Sequence, residues 1–208
     1  MPIVATEERQ QLMSEGFCVF KDVLDPQTVA NLNAMSEWTI AQEEPDHFEK
    51  HRAQGCILPY WKYSHPAFAD LLIHPGALSA LAELGFSNPK VWSGYVISKP
   101  PHSPPLYWHQ DGVLWNHPIS YTNKPQQYFL MYYLVDTDLG NGCLRVIPGS
   151  HLKRHALHDL GREAHQADEI TRATNLDHPA LRKAAVGQSC QLWEILGTRL
   201  NCRQNPSV

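Results

Sequence analysis

Along the first 88 residues the apolar positions recur at helical spacing, broken by glycine and proline, and beyond them the texture changes to blocks of β-branched and aromatic residues. Thr6 as a cap predicts a short helix from Glu7 through Met13, stopped by Gly16, with Phe17-Cys18-Val19-Phe20 following as a strand. Asp25-Pro26 reads as an N-cap and a first-turn proline opening a helix whose Val29, Leu32, Met35 and Trp38 share a face, and the acidic stretch Glu43-Glu44-Pro45-Asp46 ends it. Gln54 to Ser64 is aromatic and irregular. Pro66 begins a segment with Phe68, Leu71, Leu72 and Ile73 on a helical period, closed by His74-Pro75-Gly76, and a further helix runs from Ala77 to Leu84 before Gly85.

Past Asn88, the stretches from Val91 to Ile97 and from Tyr128 to Val135 predict strands, separated by proline-containing loops. Helices first and strands later imply an α+β arrangement, a helical layer packing on a mostly antiparallel sheet or barrel. With 208 residues, 43% of them apolar, the chain suffices for the core of one domain, residues 1–208, with a mainly helical part at 1–88 and a strand-rich part at 89–208. No internal repeat or low-complexity tract divides it.

Charge narrows the class of partner. A net charge of -4 and a pI near 6.3 supply no basic field, and no Lys and Arg cluster is interleaved with aromatics, so nucleic acid is not expected as a partner. No basic-then-apolar leader opens the sequence and nowhere do 18 apolar residues run together, so neither secretion nor a membrane span is expected. The cysteines Cys18, Cys56, Cys143, Cys190 and Cys202 are odd in number and scattered. They read as reduced, mostly buried thiols of a cytoplasmic protein.

Candidate chemistry centres on His109-Gln110-Asp111. In an extended segment an imidazole and a carboxylate two residues apart face the same side. With a second imidazole from a distant strand they would form the 2-His-1-carboxylate triad that leaves open positions on Fe(II) for a bidentate 2-oxo acid and for O2. The tripeptide by itself is weak evidence, since a surface histidine near an aspartate is common.

Its surroundings add specificity. Trp108-His109-Gln110-Asp111 follows Ser98-Lys99-Pro100-Pro101, and about thirty residues later comes Gly140-Asn141-Gly142-Cys143-Leu144-Arg145-Val146-Ile147-Pro148-Gly149-Ser150-His151. Together with the glycine-phenylalanine step at 16–17, these segments resemble the phytanoyl-CoA dioxygenase family over roughly residues 10 to 185. The resemblance implies a double-stranded β-helix, a cupin-like jelly roll with the N-terminal helices packing on the barrel. It also implies Fe(II) held by His109 and Asp111 while 2-oxoglutarate is split to succinate and CO2, with Lys99 and Trp108 lining the co-substrate or substrate pocket. The expected activity is O2-dependent hydroxylation of a small organic substrate. His151 is not the iron ligand in the family's pattern. The segment from Asn141 reads instead as two tight turns, Asn141-Gly142 and Pro148-Gly149, around a strand carrying Leu144 and Val146.

The C-terminal stretch departs from the family. There a second histidine follows a strand of the type G-D-x-R-L-x-H, and an arginine about ten residues later pairs with the distal carboxylate of 2-oxoglutarate, a task its planar fork suits. Here no histidine occurs after His178, and Gly197-Thr198-Arg199-Leu200 resembles a worn copy of that strand, which puts the histidine position at or beside Asn201 or Cys202. The last barrel strands are therefore expected to be incomplete. A truncated or frame-altered product, a diverged non-catalytic relative, and a site completed by another residue all fit this departure. Cys202 is the candidate replacement ligand and also reads as a core thiol. Arg199 or Arg203 is the candidate replacement for the arginine and also reads as a surface cation. Tyr60, Trp61, Tyr63, Tyr107 and Trp115 serve equally as an apolar substrate wall or as core.

Overall fold

The computed structural model describes residues 6–47, 56–86, 88–98, 109, 117–124, 127–138, 143–154, 156, 158–159 and 197–201. Helix α1 (Glu7–Glu15) starts where the Thr6 side chain accepts from the Arg9 N–H, and ends at Gly16 with φ +90°. Helix α2 (Pro26–Ile40) starts at Asp25, whose carboxylate takes the Thr28 N–H at 2.9 Å and the Thr28 hydroxyl at 2.7 Å, with Pro26 in the first turn. Those two hydrogen bonds, the hydroxyl's first, hold the Asp25 carboxyl below its usual pKa. Helices α3 (Pro66–Leu72) and α4 (Pro75–Glu83) follow a 3-10 turn at Tyr60–Lys62. At the end of α4 the Gly85 N–H reaches Ala82 O and the Phe86 N–H reaches Leu81 O, the pairing by which a left-handed residue closes a helix.

Four strands, β1 (Cys56–Pro59), β2 (Val91–Ser98), β3 (Gln127–Leu130) and β4 (Gly197–Asn201), form one antiparallel sheet in the order β1-β2-β4-β3. The helical layer packs on one face of this sheet. Leu32 and Met35 of α2, Phe68 and Leu71 of α3, and Ala77 of α4 meet Leu58 and Val96, and Tyr132 and Leu134 join the same cluster. Met35, Leu58 and Val96 are no more than 2% exposed, so the core lies between the helices and the β1–β2 pair.

Several sequence expectations are corrected by this arrangement. Phe17 to Phe20 is not a strand: among the described residues no ladder partner lies beside it, and a strand requires one. The span from Gln54 to Ser64 contains β1, which pairs along its length with β2 from Cys56↔Ser98 to Pro59↔Tyr95. Pro75 opens α4 instead of closing the segment before it, since a proline in the first helical turn loses no hydrogen bond. The expected strand over Tyr128 to Val135 is regular only through Leu130, matching the short reach of its partner β4, although Tyr132 and Leu134 continue the inward alternation. Leu144 to Ile147 is likewise outside the ladders. The Asn141-Gly142 turn lies outside the described residues.

The Pro148-Gly149-Ser150-His151 segment is a turn, with the Ser150 N–H on Ile147 O, and its task is to cap α1. The Gly149 N–H donates to Glu15 O at 2.8 Å, and His151 Nε2 donates to Met13 O at 3.0 Å. A carbonyl only accepts, so the proton sits on Nε2. Helix ends leave their last carbonyls without intrahelical partners, and this turn satisfies two of them. Helix α1 needs that help. It is nine residues long, shorter than an isolated helix requires in water, and Leu12 is its one buried residue. At its other end the Arg9 guanidinium donates to Leu84 O, where α4 finishes.

Gly16 is demanded twice, by its left-handed φ and because a Cβ there would stand 2.6 Å from His151 Nδ1. Gly16→Ala is expected to lose about 1–2 kcal/mol from backbone conformation alone and more from displacing the ring. In a His151→Ala background only the conformational part remains. A double-mutant cycle by urea unfolding is expected to show coupling of roughly 0.5–3 kcal/mol between the two sites, and additive losses would refute the clamp. Nearby, burial and then the Glu8 charge push the Cys18 thiol up to about 11. At pH 8 it holds about a hundredfold less thiolate than an ordinary cysteine. Iodoacetamide should therefore alkylate it correspondingly slowly until the pH approaches 11, and a rate at pH 8 equal to that of glutathione would contradict the burial.

Candidate functional site

His109 is exposed, and it is the one described residue of its neighbourhood. Its partner Asp111, together with Lys99 and Trp108, lies outside the described residues, as do Tyr107, Trp115, Cys202 and Arg203. Lys99 follows directly on Ser98, the last residue of β2. Among the described residues no three of His, Cys, Asp and Glu converge as a metal site would require. The structure therefore neither joins nor separates the expected metal pair.

Other candidates have definite places. Tyr60 and Tyr63 are half-buried against the core cluster, and the Tyr60 ring meets Phe68 at 5.5 Å, which makes them packing residues. His158 is half-buried with its ring edge-on to Tyr121 at 5.0 Å. Beside it Arg154 pairs with Asp159. His155 and His165 lie outside the described residues. His151, as shown above, spends Nε2 on α1, and its Nδ1 faces Gly16.

A pocket of about 80 Å³ opens between α4 and the sheet, lined by Leu72, Ala77, Leu81, Val91, Leu130 and Tyr132 among others. It lies on the face that carries the helices, its walls are apolar, and small-molecule sites typically occupy about 300–1,000 Å³. Burial raises the pKa of the Tyr132 phenol well above its ordinary value, so it stays protonated.

The opposite face of the sheet is different. Side chains alternate along a strand, so Ser93, three residues from the core residue Val96, and Gln127, three residues from Leu130, both turn away from the helices. Ser93 is only 4% exposed, yet among the described residues its Oγ has no hydrogen-bond partner. The buried Gln127 Nε2 is also without one. Each such atom costs about 1–3 kcal/mol of unrecovered desolvation, and alanine or valine would have filled either place without that loss.

Both residues flank β4. Ser93 and Phe129 are register partners of Arg199 from the two sides, and Gln127 is the partner of Asn201. A register shift between Val91 and Ser93 sets this alignment. Reasoning from sequence singled out Arg199 but passed over Ser93 and Gln127. The available signal was the Ser93-Gly94 pair inside an otherwise apolar and aromatic strand, and a glutamine at the head of Tyr128-Phe129-Leu130.

Two comparisons bear on identity. No curated protein matches the chain. The profile of the family described as phytanoyl-CoA dioxygenase matches residues 12–185, well over half of the sequence, a span that takes in α1 from Leu12, the His109-Gln110-Asp111 segment and the clamp turn at 148–151. That family has a jelly-roll fold and comprises, in general, Fe(II)- and 2-oxoglutarate-dependent dioxygenases; the chain belongs to it.

Proposed function

We propose that this chain is a non-haem Fe(II)/2-oxoglutarate-dependent dioxygenase that hydroxylates a small organic molecule. The observation that carries the reading is the family match over residues 12–185, with His109 and Asp111 inside it at the spacing the metal pair needs. An imidazole nitrogen and a carboxylate oxygen two residues apart on an extended segment are a donor set that suits Fe(II). Asp111 offsets part of the ion's charge, and His109, already exposed to solvent, needs no rearrangement of a core to reach it. Bound there, the metal together with 2-oxoglutarate would supply oxidative decarboxylation coupled to substrate hydroxylation. Lys99, immediately beyond β2, and Trp108, immediately before His109, would contribute a cation and an aromatic wall to the pocket.

A second reading, a non-catalytic relative that binds a ligand through the same fold, is favoured by two observations. Asn201 and Cys202, not a histidine, follow Gly197-Thr198-Arg199-Leu200, and the family match stops at residue 185, short of Gly197–Asn201. Loss of a metal ligand should cost more than the ten- to hundredfold typical of a residue that merely supports one.

Anaerobic titration with Fe(II) and 2-oxoglutarate separates the two. The dioxygenase reading predicts a weak visible charge-transfer band in the wild-type protein that disappears in both His109→Ala and Asp111→Ala. Absence of the band from folded wild-type protein would leave the non-catalytic reading.

A further inference from the structure

We propose that the pocket between α4 and the sheet binds a small uncharged molecule, an aliphatic ketone or alcohol, held by its apolar body and by one hydrogen bond to Tyr132. The walls come from α3, α4, β2 and β3, so both layers of the fold must pack before the pocket exists. Leu78 and Val91 line it and also reach solvent, which puts its mouth between them.

Among the described side chains that line the pocket, Tyr132 alone is polar. It is 7% exposed, burial is the cause that moves its pKa, and among the described residues none forms a hydrogen bond with its hydroxyl. Phenylalanine would fill the same volume and leave no hydroxyl unserved, so the tyrosine acts as a handle for a molecule that enters. Water serves that handle poorly. A buried water needs two to four polar partners, and the lining side chains offer one. A single oxygen on an apolar skeleton matches the lining on both counts.

Charge and size narrow the ligand further. An ion would be stripped of water against apolar walls with no opposite charge on them. The protonated phenol donates instead to a neutral carbonyl or hydroxyl oxygen. The volume is about 80 Å³, against roughly 30 Å³ for each molecule of liquid water. Roughly three or four non-hydrogen atoms fit inside, with the rest of a short skeleton at the mouth. Neither His109 nor Asp111 belongs to the lining, so the site does not depend on the dioxygenase reading.

The test is a titration of isotope-labelled full-length protein with butan-2-one, followed by methyl shifts in heteronuclear NMR. Saturable shifts are expected at Leu78, Leu81, Val91 and Leu130, which surround the pocket. Tyr132→Phe should bind about three- to tenfold more weakly, the worth of one neutral hydrogen bond. It should also melt no lower than wild type, because the lost hydroxyl has no partner to leave behind. Ala77→Leu, which fills the pocket from its helical wall, should abolish the saturable shifts while its remaining methyl signals keep their wild-type positions. Shifts that are absent from folded wild-type protein, or that scatter over the surface without saturating, would overturn the site. So would unchanged affinity in Tyr132→Phe, or a markedly lower melting temperature for that variant, which would show the hydroxyl to be a structural group.

Discussion

The pairing of β4 between β2 and β3 is the constraint on which the strand layer depends. β1 and β2 pair with each other and sit over the helical core, but β3 joins the sheet only through β4 among the described ladders. A five-residue strand some hundred residues beyond β2 in sequence thus decides where β3 lies. Through β3 it also sets where Tyr128 meets Phe86 at the end of α4, at 4.2 Å between ring centroids. Such a long-range pairing forms only after a large loop closes, so it depends on the β1–β2 pair and the helices already being in place.

A second long-range contact ties the N-terminal helix to the same half of the chain. The turn at 148–151 ends α1 by donating to its last carbonyls, and Thr122 in turn donates to His151 O at 2.9 Å. The turn expected at Pro148-Gly149 is therefore structural, and its task is to end α1. Its histidine is a hydrogen-bond donor to a helix end, and its glycine, at φ +73°, makes the turn possible.

Much of the helical half was legible because its signals are local. Thr6, Asp25 and Pro66 mark helix starts, and Gly16 and Gly85 mark ends, through backbone preferences that need no knowledge of the rest of the chain. The strands were harder. β1 was hidden in an aromatic stretch because it has only four residues, and the segment at 17–20 looked like a strand because its composition suits one, although strand formation requires a partner that composition does not report. Arg199 was visible as a residue type in a strand-like tetrad, but only the ladders show that its strand runs between β2 and β3, with Ser93 on one side of it and Phe129 on the other. The expected metal pair, His109 and Asp111, was legible by motif, and its support remains the motif and the family match.

The strand layer stands or falls on β4. Hydrogen–deuterium exchange measured on native protein, with peptides covering 91–98, 127–130 and 197–201, tests it directly. Paired on both sides, the amides of 197–201 should be protected to the same degree as those of β2 and lose protection together with those of β3 in mild denaturant. Exchange of 197–201 at the rate of a free peptide, with 91–98 still protected, would contradict the placement of β4 and with it the position of Arg199.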